Sequence, residues 1–234
     1  MHYLFGLLAL LISSSLCGQT AEDYYKSGNK SNDLKDYQSA ITSFSKSIEL
    51  NHDDAKVYYS RGNSKYLLGD FKGAIQGFTK VIDLAPKYPQ AYYSRGLAKH
   101  EMVDDKSALL DFTKAIELDS KYIQAYIKRG NSKAILGDYK EAIADYSVAI
   151  KLNQYDGSIY YDRANAKAKL EDYKGALQDF TRVIELNPKD GSSYINRGFC
   201  KNRLSDKKGA CSDWLKAKDL GSMDAYNLIN QFCK

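Results

Sequence analysis

Four arginines stand at a constant distance from four aspartates, and this spacing is the first place to look for chemistry. Each arginine has an aspartate sixteen residues further along, and the pairs are Arg95 with Asp111, Arg129 with Asp145, Arg163 with Asp179 and Arg197 with Asp213. In an antiparallel helix pair, folding back at the turn between Val103 and Asp104 brings Arg95 next to Asp111, so we expect the two charges to meet. A guanidinium and a carboxylate that meet form a two-pronged ion pair, and the arginine stem covers apolar surface. We interpret these pairs as specifying the fold rather than as a binding site.

The first part of the chain departs from this spacing. Ser27 stands at the first arginine position, and Arg61 has Gly77 at its aspartate position. These two stretches lack the ion pair, so we expect them to be less stable than the rest of the chain.

A second set of side chains recurs at fixed positions along one side of the predicted helices and has the chemistry to hold a peptide. We call these positions the stripe. Tyrosine offers flat apolar area with a polar tip, and asparagine pairs with both the amide and the carbonyl of an extended chain. We expect these side chains to face solvent; the alternative is that the tyrosines only pack neighbouring repeats. The candidate peptide-binding residues are Tyr25, Asn29, Tyr59, Asn63, Tyr66, Tyr93, His100, Asn131, Tyr161 and Asn165.

Sequence motifs of the common enzyme classes are absent. There is no phosphate-binding glycine loop, zinc-protease motif, nucleophile elbow or dinucleotide fingerprint. Cys200, Cys211 and Cys233 form no Cys-x-x-Cys motif and are accompanied only by His52 and His100. We therefore expect a protein that is not an enzyme and that uses no metal and no cofactor.

A 34-residue period organises all of these positions. Six units begin at Ala21, Ala55, Pro89, Ile123, Gly157 and Gly191. In each unit the eighth residue is Gly or Ala, the sixteenth is Asp, the twentieth is Ala and the twenty-fourth is aromatic. Apolar residues at three- and four-residue steps predict two helices per unit, with the Asp capping the second. Asp138 with Glu141 predicts a capping box.

The spacing resembles the tetratricopeptide repeat. The matching residues of the second unit are Tyr58, Gly62, Leu68, Gly69, Phe71, Ala74, Phe78 and Pro86. The resemblance implies an all-α fold, a right-handed superhelical solenoid of antiparallel helix pairs, with a concave groove lined by the tyrosine and asparagine stripe. It covers a six-unit array at 20–222, which we expect a capping helix at 223–234 to close.

Some members of that family clamp the acidic tails of chaperones through lysine and asparagine. Here Tyr25 stands in the place of the first lysine, and Gln124 and Lys128 match the later positions only in part. A role as a chaperone partner is therefore disfavoured.

The charge balance argues against nucleic acid as a partner. The chain carries 34 basic and 29 acidic residues, a net charge of +5, and the two signs are interspersed. Binding to a nucleic acid needs a basic stripe that contacts successive phosphates.

The amino terminus predicts export. The stretch from Tyr3 to Leu16 is uncharged and apolar, too short to span a membrane, and typical of a signal peptide at 1–19. Cys17 leaves lipidation open, although Leu16 before it is not the small residue that lipoprotein processing prefers. A further alternative is an amino-terminal helix docked on the first repeat. We expect a periplasmic, envelope-associated or secreted protein that touches a membrane only if Cys17 is lipidated.

The three remaining cysteines leave one disulfide to assign. If the chain folds back at the turn near Gly221, Cys211 comes close to Cys233. If it folds back at the preceding turn, Cys211 comes close to Cys200. We favour Cys211 with Cys233, and we expect the last helix to pack through Tyr226, Ile229 and Phe232.

These observations predict an exported, non-enzymatic scaffold for protein–protein interaction that binds an extended segment in its groove. The alternative is a structural accessory subunit of an envelope or secretion complex, in which the repeats only space other parts.

Overall fold

The computed structural model describes residues 19–233 and places thirteen α-helices and no β-strand within them. The predicted signal peptide, including Cys17, lies outside the described residues except for its last position. No helix among the residues described has the length and apolar character needed to cross a membrane. The chain divides into two compact units at Pro86.

The first unit contains two helix pairs. Its helices are α1 (Ala21–Asp33), α2 (Tyr37–Leu50), α3 (Ala55–Leu67) and α4 (Phe71–Leu84). Within this unit α1 packs against α2, α2 against α3 and α3 against α4. A three-residue turn inside each pair reverses the chain, so the two helices of a pair run antiparallel.

The second unit repeats this arrangement four times and adds one helix. Its helices are α5 (Pro89–Glu101), α6 (Asp105–Leu118), α7 (Ile123–Ile135), α8 (Tyr139–Leu152), α9 (Gly157–Lys169), α10 (Tyr173–Leu186), α11 (Gly191–Arg203), α12 (Lys207–Asp219) and α13 (Met223–Phe232). Helices adjacent in sequence are again adjacent in space. The all-α class and the tandem helix pairs are confirmed.

Close approach within each pair depends on the small eighth residue. The aromatic ring at the twenty-fourth position lies directly over it, and a Cβ built on Gly96 would come within 2.7 Å of Phe112. The same holds at Gly198, where a Cβ would lie 2.6 Å from the Trp214 ring nitrogen. The alanine at the twentieth position is fully buried in every unit. The recurring small and aromatic residues therefore determine how closely the two helices of a pair pack.

The aspartate at the sixteenth position caps the second helix in five of the six pairs. Asp70, for example, accepts a hydrogen bond from the backbone N–H of Gly73 at 2.9 Å. The predicted capping box of Asp138 with Glu141 is wrong, because the Asp138 side chain makes no cap hydrogen bond. The other five pairs have Ser or Gly in place of Glu141, and these small residues leave room for the capping carboxylate. A box forms instead between Thr20 and Asp23 at α1.

Helix α13 is tied to the last helix pair by a covalent bond and by ring packing. Cys211 and Cys233 form a disulfide across 22 residues of sequence, and Cys200 is buried and unpaired. The Phe232 ring lies 5.6 Å from that of Trp214. Of the three residues expected to pack, Phe232 does so, whereas Tyr226 is 48% exposed and Ala225 is fully buried. Removing α13 would uncover the Trp214 side of the core.

Candidate functional site

The four arginine–aspartate pairs meet as the sequence predicted. In each pair the arginine Nε donates to one carboxylate oxygen at 2.9–3.0 Å and Nη2 donates to the other at 2.6–2.7 Å. The aspartates are 3–4% exposed. Each guanidinium also lies 5.5–5.7 Å from the centre of a tyrosine ring three residues earlier. We call these four pairs the ion-pair ladder.

Two further groups complete the ladder, and the sequence analysis missed both. A lysine four residues after each arginine reaches the same aspartate at 2.7–2.8 Å, and the four are Lys99, Lys133, Lys167 and Lys201. Arg129 Nη1 also donates to Thr113 of the preceding helix pair at 3.2 Å, and Arg163 to Ser147 at 3.0 Å. Both sets recur every 34 residues, so the signal was present.

Every group in the ladder is occupied by another part of the chain. Two cationic side chains bind each carboxylate, and each guanidinium donates its hydrogen bonds to groups of the same chain. The hydrogen bond and charge of Asp213 raise the pKa of Arg197 against the opposing effect of burial. The arrangement supports a role in holding the fold and leaves no free charge for a ligand.

The second helix pair carries only half of this arrangement. Arg61 donates to Ser45 at 3.1 Å, but Gly77 occupies the aspartate position. No carboxylate among residues 19–233 lies within 4.0 Å of Arg61, and burial lowers its pKa. In the first pair Ser27 and Ser43 face each other at 3.4 Å. The missing pairs are confirmed; their effect on stability stays a prediction.

The tyrosine stripe is less exposed than expected. Tyr25, Tyr59, Tyr93 and Tyr161 are all half-buried, and each ring packs on the core aromatic of its own helix pair with ring centres 5.6–5.9 Å apart. Helical position alone pointed these residues away from the core, but the tyrosine ring is long enough to lean back onto it. They support the core and stay partly exposed, and the Tyr161 hydroxyl accepts a hydrogen bond from Asn196 at 3.0 Å.

The remaining stripe residues divide into engaged and open groups. His100 Nδ1 lies 2.6 Å from Asp105, and the Tyr66 ring packs 5.4 Å from that of Phe71. Asn131 accepts a hydrogen bond from the Tyr146 hydroxyl at 2.8 Å.

Three asparagine amides of the stripe are open. Within the described part of the chain, Asn29, Asn63 and Asn165 make no side-chain hydrogen bond. These amides have the full capacity to pair with a peptide backbone.

A cavity of about 410 Å³ opens beside Asn165 in the second unit. Asn165 and Lys169 come from α9, and Asn196 and Phe199 come from α11. Phe199 is 46% exposed and stands at the position that asparagine occupies in four other units. Sequence reasoning followed the asparagines at this position and so missed both Phe199 and Asn196.

The buried side of this cavity carries no reactive nucleophile. Cys200 and Phe180 line it from below, and burial raises the pKa of the Cys200 thiol to about 11. A thiol that stays protonated at neutral pH is a poor nucleophile. Within residues 19–233 no group of three or more His, Cys, Asp or Glu side chains has the geometry to hold a metal ion.

Models of one repeat family match most of these helix pairs. A TPR repeat model matches residues 28–69 and 62–103, and tetratricopeptide repeat models match residues 89–122, 123–156 and 158–190. The chain belongs to the tetratricopeptide repeat family. A search of curated proteins found no significant match.

Solved structures with this TPR architecture are similar over most of the chain. YrrB, described as a TPR protein with an unusual peptide-binding site, is 23% identical, with a TM-score of 0.72 over 80% of this chain and 97% of that one. The C-terminal part of a TPR repeat-containing protein from Cytophaga hutchinsonii is 19% identical, with a TM-score of 0.76 over 84% and 78%. PilF from Pseudomonas aeruginosa is 16% identical, with a TM-score of 0.72 over 90% and 97%. At these identities the likeness shows the fold alone.

Proposed function

We propose that this TPR protein is a non-catalytic scaffold that binds an extended peptide segment along the first helices of its repeats, with the cavity beside Asn165 as one anchoring point. The open Asn165 amide next to the exposed Phe199 ring carries this proposal. A backbone-pairing group beside an apolar wall is the combination that a peptide needs, since one fixes the main chain and the other buries a side chain.

Two further observations support a binding role. The similar protein YrrB is described as having a peptide-binding site, and TPR proteins generally act through protein contacts. The ion-pair ladder uses none of Asn29, Asn63 and Asn165, so these amides stay available to a partner.

The proposal is tested with a phage-displayed library of random short peptides and the purified protein. Selected peptides are synthesised with a fluorescent label, and their dissociation constants are measured by anisotropy. We expect Asn165→Ala combined with Phe199→Ser to weaken binding about 30- to 800-fold, since contacts of this kind contribute on the order of 1–2 kcal/mol each. Leu110→Ser is the matched control, because Leu110 is 73% exposed on α6, outside the cavity lining.

Equal affinity of the double variant and of Leu110→Ser for the selected peptides would refute the cavity as a binding site. A library that yields no peptide above background would favour the accessory-subunit alternative instead. Circular dichroism and thermal unfolding of each variant show whether a loss of binding reflects a loss of folding.

We also propose that the chain is exported with its signal peptide at 1–19 removed. The apolar segment up to Leu16 motivates this proposal, and the Cys211–Cys233 bond supports it because such bonds persist in oxidising compartments. Intact mass spectrometry of the native protein is expected to show a chain that starts between Gly18 and Ala21, or a lipid on Cys17. A mature protein that retains Met1 would contradict export.

A further inference from the structure

A second cavity, of about 510 Å³, lies where three helix ends of the second unit meet. Its walls come from the first two turns of α9 and the segment before it, the last turn of α10 and the start of α11. Val183 and Leu186 form an apolar side, and Tyr155 and Tyr161 add rings, of which Tyr155 is 72% exposed. We call it the helix-end cavity.

The helix-end cavity is open because the first residue of the fifth repeat is Gly157. A Cβ built there would lie 3.8 Å from the side chains of Val183 and Leu186, at ordinary contact distance. The first four repeats have a side chain at this position, from Ala21, Ala55, Pro89 and Ile123, whereas the sixth also has a glycine, Gly191. A larger side chain in place of Gly157 would therefore point at the apolar wall and fill space that is now open.

The charges that line this cavity have one sign. Asp162 and Asp190 are among its lining residues, and no lysine or arginine is. Asp190 already accepts a hydrogen bond from Ser193. Asp162 accepts no hydrogen bond, and within the described range no cationic group lies within 4.0 Å of it.

The environment of Asp162 disfavours an unpaired charge. Burial raises the pKa of its carboxyl, with the charge of Lys128 acting in the opposite direction and that of Asp156 adding to the rise. A half-buried carboxylate without a partner gains when a cation approaches it. The chain itself supplies no such cation in contact.

Asp162 also connects this cavity to the proposed peptide site. It lies three residues before Asn165 on α9, and both residues line a third cavity, of about 260 Å³, on the other side of Asp162. Residues three apart share one face of a helix. A segment that pairs with Asn165 therefore passes within reach of Asp162.

We propose that the helix-end cavity receives a lysine or arginine side chain of the bound segment. The aliphatic stem lies against Val183 and Leu186, and the cationic head pairs with the Asp162 carboxylate. This inference rests on the proposed peptide-binding function and adds to it the charge of the side chain that is recognised.

The test uses the same phage-displayed library and labelled peptides. We expect the selected peptides to share a basic residue at a fixed place, and Asp162→Asn to weaken their binding about 10-fold or more. Replacing that basic residue by norleucine should weaken binding to the unchanged protein similarly and have little further effect on Asp162→Asn. Asp219→Asn, an exposed carboxylate on α12, is the matched control and should bind normally.

Gly157→Ile provides a second variant that changes no charge. This variant gives the fifth repeat the isoleucine that the fourth repeat has at the same position, Ile123. We expect it to remove the preference for the basic residue while binding through Asn165 persists. Peptides that lose affinity on Asn165→Ala with Phe199→Ser but carry no basic residue, or that bind Asp162→Asn normally, would overturn this inference and leave the peptide site standing. If no peptide is selected at all, the peptide site and this inference fail together.

Discussion

Replacing Asp145 by alanine is expected to lower the free energy of unfolding by about 3–5 kcal/mol, the range for breaking one partner of a buried ion pair. Asp145 is 4% exposed and is held by Arg129 Nη2 at 2.6 Å and by Lys133 at 2.8 Å. Removing the carboxylate leaves two neighbouring cations without compensation. Urea unfolding followed by circular dichroism measures the loss.

The control for this variant is on the same helix. Glu141 is exposed on α8 and forms no ion pair within residues 19–233, so Glu141→Ala should change stability by no more than about 1 kcal/mol, the contribution of one helix cap. If Asp145→Ala also falls within that range, the ladder contributes no more than surface ion pairs do, and our interpretation of it as a fold-specifying element is wrong.

The fold followed from the sequence because its determinants are local and repeated six times. A small residue at the eighth position and an aromatic at the twenty-fourth each occur in every unit, so a chance match is excluded by repetition. Reflecting a helix pair about its turn was sufficient to bring Arg95 to Asp111, since a three-residue turn leaves little freedom in register.

The lysines of the ladder were missed for a different reason. The reflection compared residues across a turn, whereas Lys133 reaches Asp145 because it lies one helical turn after Arg129 on the same face. Counting neighbours within α7 as well as across to α8 would have found it.

The cavities could not have been predicted from the pattern. The helix-end cavity exists because Gly157 lacks a side chain and because three helix ends leave space at that point, and the second condition is three-dimensional. The burial of the tyrosine stripe is similar, because helical position gives the direction of Cβ but not the path of a long ring. Tyr161 occupies a stripe position on its helix, and its ring still packs on Phe180.

The second helix pair offers the opposite experiment, in which an ion pair is restored. Arg61 and Lys65 occupy the two cationic positions of the ladder, and only the carboxylate is missing at Gly77. Arg61 Nη1 already donates to Ser45, as Arg163 does to Ser147, so the guanidinium is held in the orientation that the complete pairs use. Little side-chain entropy is left to lose when a partner appears.

Gly77→Asp is therefore expected to raise the free energy of unfolding by about 1–3 kcal/mol, since hydrogen bonds to charged groups contribute about that much. One cost opposes the gain, because a Cβ at Gly77 would lie 3.2 Å from the Gly62 Cα and the two helices must move apart slightly. Gly77→Ala carries the same cost without the charge, and the more favourable helix propensity of alanine, up to about 0.7 kcal/mol relative to aspartate, is subtracted before the two variants are compared. The difference between the two variants in urea unfolding thus isolates the carboxylate. An aspartate variant no more stable than the alanine variant would show that Arg61 is satisfied as it stands, by Ser45 and by the Tyr58 ring 5.5 Å away.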